Sequence, residues 1–295
     1  TGVDANSLDV RGGEALGLVG ESGCGKTTTI MQILEMQPPE QGTVSLLGTD
    51  VPTLDRTGRR QLRRDVQVVF QDPLASLDPR MTVGTIIARP LKTFHPELSR
   101  SDIDARVKEA MAQVGLAPEM MRRYPHEFSG GQCQRIGIAR AMILRPKLIV
   151  CDEPVSALDV SIQAQIINLL RKLQGELGLS LLFISHNLSV VRHISHRVMV
   201  LYLGKVMELA ERDAFYANPM HPYSKALISA IPLPDPKAER ARERVMLHGD
   251  LPSPLNPPKG CRFCTRCPMA QEVCHSTEPP LIPRSDGRLV ACHFV

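Results

Sequence analysis

Residues Gly20-Glu21-Ser22-Gly23-Cys24-Gly25-Lys26-Thr27 fit the pattern G-x-x-x-x-G-K-[ST]. They follow an apolar run, Leu16-Gly17-Leu18-Val19, and precede a helical pattern from Thr27 to about Met36 that Pro38-Pro39 stops. Strand, glycine loop and helix in that order constrain the fold more than any other feature of the chain. Glycines let the backbone curl so that successive N–H groups face phosphate oxygens, and the helix N-terminus adds its partial positive charge. Lys26 is expected at the β- and γ-phosphates and Thr27 at Mg²⁺. The expected nucleotide cradle runs from Gly20 through Thr28.

The rest of the chain alternates. A strand pattern over Val66-Gln67-Val68-Val69-Phe70 runs into Gln71-Asp72-Pro73, and from about Val83 to Leu144 the periodicity is helical. Strand-type runs return at Leu148-Ile149-Val150-Cys151, Leu181-Leu182-Phe183-Ile184 and Val198-Met199-Val200-Leu201, with a helical segment from about Ser161 to Leu177 between them. Alternating strands and helices predict an α/β fold with a mostly parallel sheet and a helical insertion at 83–144. The run at Leu148 ends in Asp152-Glu153, so a buried strand delivers two carboxylates. Asp152 is expected to hold Mg²⁺, directly or through water, and Glu153 to polarise the attacking water. The plainer reading is a strand end and a turn at Pro154.

At 295 residues and 43% hydrophobic, the chain has material for one large domain with an appendage, which excludes disorder and a small disulfide-stapled fold. Its 35 Lys+Arg against 31 Asp+Glu give a net charge of +4, too little to signal a nucleic-acid surface, and 4% aromatic residues leave few platforms for base stacking. Arg59-Arg60-Gln61-Leu62-Arg63-Arg64 reads as a solvated helix face, and His193 and His196 as structural or surface histidines. No run reaches the roughly 18 to 20 apolar residues that cross a bilayer. The start, Thr1-Gly2-Val3-Asp4, has no Met, basic n-region or apolar h-region, which reads as a trimmed cytosolic chain.

Prolines thicken after about Ala210, so 206–260 reads as a tail that wraps or links, followed by a cysteine module at 261–295. Cys24, Cys133 and Cys151 are scattered, whereas Cys261, Cys264, Cys267, Cys274 and Cys292 crowd the last 35 residues. In a reducing compartment such clustering argues for metal before disulfides.

Taken in order, the phosphate loop, Gln71 after a strand, Phe128-Ser129-Gly130-Gly131-Gln132, Cys151-Asp152-Glu153, Ser156-Ala157-Leu158-Asp159 and His186 after a strand resemble the nucleotide-binding subunit of ABC ATPases over about residues 1–205. The resemblance implies a P-loop NTPase fold of ABC type whose two copies dimerise head to tail. It places Ser129, Gly130, Gly131 and Gln132 on the γ-phosphate of ATP held by the partner's phosphate loop, with Asp159 at the same nucleotide. Gln71 is then expected near Mg²⁺ or the attacking water, and His186 at the γ-phosphate, orienting Glu153. Three features depart from the family pattern. The aromatic residue that stacks on adenine lies upstream of these residues or is replaced weakly by Val3. Cys133 stands where Arg is usual and Asn187 where Asp is usual.

The tail carries its own resemblance. His221-Pro222-Tyr223-Ser224-Lys225-Ala226-Leu227, Pro232-Leu233-Pro234-Asp235-Pro236 and Pro252 to Cys261 are similar to the C-terminal region of ATP-binding subunits of dipeptide and oligopeptide importers. Relatives of that kind also serve nickel or glutathione. Cys261, Cys267, Cys274 and Cys292 match four tail cysteines associated in some members with a [4Fe–4S] cluster; the same thiolates suit tetrahedral Zn²⁺ or stay reduced, and Cys264 is an alternate ligand. The resemblance implies an ATPase that energises peptide import. Its partners are a second ABC ATPase, two membrane-spanning permeases and an extracytoplasmic peptide-binding protein, at the cytoplasmic face of the inner membrane. The competing reading is a soluble ABC ATPase acting on ribosomes or DNA.

Overall fold

In a computed structural model, the structure describes residues 8–21, 23–35, 43–232, 235, 237, 240, 245–247, 249–250, 252–253 and 256–295. The expectations resting on Val3, Ser22, Met36, Pro38-Pro39, Leu233-Pro234 and the side chain of Thr27 lie outside the described residues. The chain divides into two compact units. One gathers Ala15–Met31 and Ser185–Val295, the other Gln32–Ile184 with the short stretch Val10–Glu14.

The first unit contains β1 (Ala15–Val19), entirely buried, and α1 (Lys26–Glu35) as far as Met31. Among the later elements of this unit, β1 pairs in parallel with the equally buried Arg197–Tyr202, Leu16 opposite Arg197 and Val19 opposite Val200. Strands buried on both faces read as continuous apolar runs, which is why these two are plain in the sequence.

The second unit opens with β2 (Ser45–Leu46) and β3 (Thr49–Asp50), a short antiparallel pair, then α2 (Arg56–Asp65) and β4 (Val66–Val69). Helices α3 (Val83–Phe94), α4 (Arg100–Gln113) and α5 (Gly130–Met142) fill the predicted helical block. Ser99 and Asp102 form a capping box that starts α4. Then come β5 (Leu148–Asp152), α6 (Val160–Leu177) and β6 (Ser180–Ile184). Asp159 caps α6 and Gly178 ends it at φ +61°, a backbone angle that glycine adopts without steric cost. The order β4-β5-β6 is all parallel, Val69 facing Cys151 and Asp152 facing Ile184.

Back in the first unit, α7 (Leu188–Ile194) is capped by Asn187, whose Oδ1 accepts from the N–H groups of Ser189 and Val190. Strand β7 (Arg197–Tyr202) then turns at Leu203-Gly204, both at positive φ, into β8 (Lys205–Glu211), which runs antiparallel to it. Two positive-φ residues make a turn whose twist suits a hairpin. After α8 (Arg212–Ala217) and α9 (Pro222–Ser229), the cysteine region contributes α10 (Glu272–Ser276), β9 (Ile282–Pro283) and β10 (Leu289–Val290). Strand β10 lies between β8 and β9.

The stretch read as a linker from 206 is therefore built of structure through Ser229. Strand β8 escaped the sequence reading because Glu208 interrupts its apolar pattern, yet Glu208 is fully buried. Its carboxylate accepts from the N–H of Met220 at 3.0 Å and of His221 at 2.9 Å, and the Arg288 guanidinium stands 3.7 Å away. A buried charge so supplied with donors is tolerated, and here it fixes the elbow between α8 and α9.

Candidate functional site

Strand β1 carries the chain into the phosphate loop, and Gly20 is the residue that the turn cannot exchange. A Cβ there would meet the Leu201 carbonyl oxygen at 2.3 Å and Cys24 Sγ at 2.6 Å. Gly23 and Gly25 hold φ of +79° and +104°, the left-handed region that other residues enter only with strain. The Lys26 side chain is buried and donates from Nζ to the carbonyls of Gly20 at 2.7 Å and Glu21 at 3.1 Å. An ammonium held by its own loop is fixed in direction, as the phosphate-binding role expected of Lys26 requires. Cys24 is buried, burial raises its thiol pKa, and its carbonyl accepts from the Gly204 N–H at 2.8 Å. What Cys24 offers a nucleotide is backbone. Thr28 is exposed at the start of α1.

Two contacts on this loop had no sequence signal. The Glu21 N–H donates to Tyr223 Oη at 3.1 Å, and Arg266 Nη1 donates to Glu21 Oε2 at 2.8 Å. Both partners come from the C-terminal region of the same unit, 202 and 245 residues away in sequence.

In the second unit, β5 delivers Asp152 and Glu153 as expected, both half-buried. Glu153 sits at φ +44°, and its N–H donates to the Ile184 carbonyl at 3.0 Å. A non-glycine residue in the left-handed region costs about 1–3 kcal/mol and persists only where surrounding bonds hold it. Ser156 adds two: its N–H and Oγ both donate to the Glu153 carbonyl, at 3.2 and 3.1 Å. The carboxylate is thus carried on a backbone pinned from both sides. Gln71 follows β4 and is exposed, flanked by exposed Phe70 and, three residues on, exposed Leu74. His186 is exposed beyond β6.

Ser129 is the N-cap of α5. Its Oγ accepts from the Gln132 N–H at 3.3 Å, and Gln132 Oε1 accepts from the Ser129 N–H at 2.9 Å. This capping box leaves Ser129 exposed at a helix N-terminus, a place suited to anions. Gly131 is buried, and a Cβ there would meet Ile162 Cγ2 at 2.4 Å, so α5 starts in close contact with α6. The Asp159 carboxylate is engaged in capping, accepting from the Ile162 N–H at 3.0 Å. Cys133, standing where the family pattern has Arg, is fully buried, with Sγ 3.5 Å from the Pro125 carbonyl; a thiol fits that interior.

Cys261, Cys264, Cys267, Cys274 and Cys292 all line one small enclosed cavity, shared with Phe263, Met269 and His221. Gly260 permits the approach: a Cβ there would meet the Cys274 carbonyl oxygen at 2.3 Å. Burial pushes the Cys261 thiol up to about 12 and raises Cys264 and Cys267, with neighbouring thiols adding to the effect. Among the described residues, however, no group of three or more His, Cys, Asp or Glu side chains could hold a metal ion. The arrangement thus lends no support of its own to the iron–sulfur cluster or the zinc ion expected from the cysteine pattern. Nor is any described helix long and apolar enough to cross a membrane.

Comparison with known proteins gives two family matches, "ABC transporter" over residues 3–156 and "Oligopeptide/dipeptide transporter, C-terminal region" over 207–274. The oligopeptide transport ATP-binding protein OppF of Salmonella typhimurium is 59% identical over 279 residues, 95% of this chain and 84% of that protein. OppF of Escherichia coli is 57% identical over the same shares. Among solved structures, the dimeric ATP-binding cassette MJ0796 bound to ADP and Pi superposes with a TM-score of 0.63 at 30% identity, over 70% of this chain and 88% of that one.

Proposed function

The chain belongs to the ABC transporter ATP-binding family, and on that premise we propose that it hydrolyses ATP to drive import of di- or oligopeptides. The joint match carries the reading: an ABC body is followed, in one chain, by the C-terminal region of oligopeptide and dipeptide transporters. A soluble ABC ATPase acting on ribosomes or DNA leaves that second match unexplained.

The roles are those that the family resemblance implies, and they suit the chemistry of the residues. Lys26 and the N–H groups from Gly20 to Thr28 receive the phosphates; Thr27 and Asp152, with Gln71, would hold Mg²⁺, which would supply neutralisation of the phosphate charge when bound. Glu153 accepts hydrogen bonds from the attacking water, and the pinned backbone described above supports its role as a fixed base. His186 orients that water from the γ-phosphate side. Ser129, exposed at the N-terminus of α5, with Gly130, Gly131, Gln132 and Asp159, meets the nucleotide held by a second ATPase subunit. ATP then acts as a bond between subunits. Work comes from its greater affinity for the closed pair, which biases the membrane-spanning partners without any contact with peptide.

The partners in this reading are a related ATPase subunit, two permeases and an extracytoplasmic peptide-binding protein, with the chain at the cytoplasmic face of the inner membrane. Exposed Phe70 and Leu74 beside Gln71 supply apolar surface for such a contact. For the tail, the proposal of a [4Fe–4S] cluster on four of the five cysteines rests on their sequence pattern alone. Iron and sulfide near cluster stoichiometry in anaerobically purified protein is the expected result; colourless protein with one zinc contradicts it.

Glu153→Gln tests the assignment of the base. The variant should bind ATP, lose turnover by about 10²- to 10⁴-fold, the usual worth of a positioned general base, and accumulate as a closed dimer in light scattering. Wild-type turnover removes Glu153 from the role.

A further inference from the structure

We infer that Arg266 and Tyr223, from the C-terminal region, are positioning residues of the phosphate loop, which set ATP affinity by neutralising and orienting Glu21. This inference rests on the ATPase reading above and adds to it a function for the tail.

Glu21 is a carboxylate inside a loop built to gather polyphosphate. Left uncompensated, it opposes the anion that the loop serves to bind. Arg266 answers that charge at 2.8 Å, with the guanidinium 11% exposed and the carboxylate 31%, so solvent screens the pair only in part. The guanidinium is itself held. It lies 6.0 Å from the centroid of the Tyr202 ring, and Nη1 also reaches Tyr202 Oη at 3.5 Å. Tyr202 packs edge-on against Tyr223 at 4.8 Å and Phe263 at 5.2 Å between centroids, and Tyr223 meets Phe263 at 5.2 Å. All three rings are fully buried.

Tyr223 acts on the same residue through the backbone. Its Oη accepts the Glu21 N–H, so the peptide plane that opens the loop is oriented by the tail. Tyr223 is placed in turn by His221, which caps α9 by accepting the Tyr223 N–H at Nδ1, 3.0 Å away. Phosphate loop, hairpin end and cysteine module thereby share one aromatic block. Phe263 joins the module to it, since that ring also lines the cysteine cavity.

The test is steady-state ATP hydrolysis by the assembled transporter, with KM for MgATP read separately from kcat. Arg266→Met is expected to raise KM about tenfold while kcat stays within about twofold, and Arg266→Lys, which keeps the charge and loses the fork, to raise it about threefold. In a Glu21→Gln background the effect of Arg266→Met should shrink below about twofold, because the charge it compensates is gone. A KM indifferent to Arg266, or an equal rise with and without Glu21→Gln, overturns the inference. Should Arg266→Met fail to fold, Arg266→Lys with and without Glu21→Gln completes the cycle. A wild-type complex that does not hydrolyse ATP sinks the ATPase reading instead, so the two failures are distinct.

Discussion

Replacing Glu208 with Ala removes the acceptor on which the elbow between α8 and α9 depends. Two backbone N–H groups, of half-buried Met220 and buried His221, lose a partner that is itself fully buried. Each orphaned donor costs about 1–3 kcal/mol. Arg288 is less exposed to the loss, because it keeps the Asp286 carboxylate and the Asn218 carbonyl, each at 2.6 Å. Together the two donors give about 2–6 kcal/mol, which brackets the roughly 3–5 kcal/mol found when one partner of a buried pair is removed. Hydrogen exchange resolves where that loss falls: the amides of Met220, His221 and Tyr223 should lose about two to three orders of magnitude of protection, at roughly 1.4 kcal/mol per order. Amides of Ile149 and Leu182, on β5 and β6, should be unaffected. Glu208→Gln keeps a carbonyl acceptor and should lose about one order. Protection at Met220 and His221 within about threefold of wild type in Glu208→Ala would refute the reasoning. Because Tyr223 follows the same elbow and holds the Glu21 N–H, ATP KM should rise in the variant as well.

Two further outcomes follow from single residues. Burial lowers the His221 pKa from 6.5 to about 3, so the native state holds it neutral while the unfolded state takes a proton below 6.5. Its contribution to stability is therefore lost as pH falls from 6.5 toward 3, at up to about 1.4 kcal/mol per pH unit. Denaturant midpoints should show the gap between wild type and His221→Asn, which can still cap α9, narrowing over that window; a pH-independent gap contradicts the account. Gly20→Ala should weaken ATP binding by more than about tenfold in equilibrium dialysis, because backbone at Leu201 leaves no room for the methyl group. Wild-type affinity in that variant would show that the loop tolerates the bulk.

Much of this was legible in the sequence for physical reasons. Strands β1, β5, β6 and β7 are buried on both faces and so read as unbroken apolar runs, and the loop pattern after β1 has few structural alternatives. Strand β8 was not legible, because a carboxylate at its centre looks like surface until its donors, Met220 N–H and Arg288, are seen. Nor was the brace on Glu21: Arg266 lies 245 residues away and sits in a run whose cysteines draw the eye. Glu153 stood out in the sequence as a carboxylate just after an apolar strand, but its left-handed backbone is a property of the contacts around it. Asp159 was expected at a nucleotide; the structure shows the helix-capping bond that holds it. The five tail cysteines line one cavity, but the metal that their crowding suggested finds no support there: among the described residues no group of three or more His, Cys, Asp or Glu side chains could hold an ion.

The most direct test of the importer assignment is to trap tagged Glu153→Gln with ATP in native membranes, solubilise gently and identify the proteins that co-purify. The account predicts two multi-span permeases with a second ABC ATPase, held only while ATP is present. Recovery of ribosomal or DNA-repair proteins in their place would contradict it.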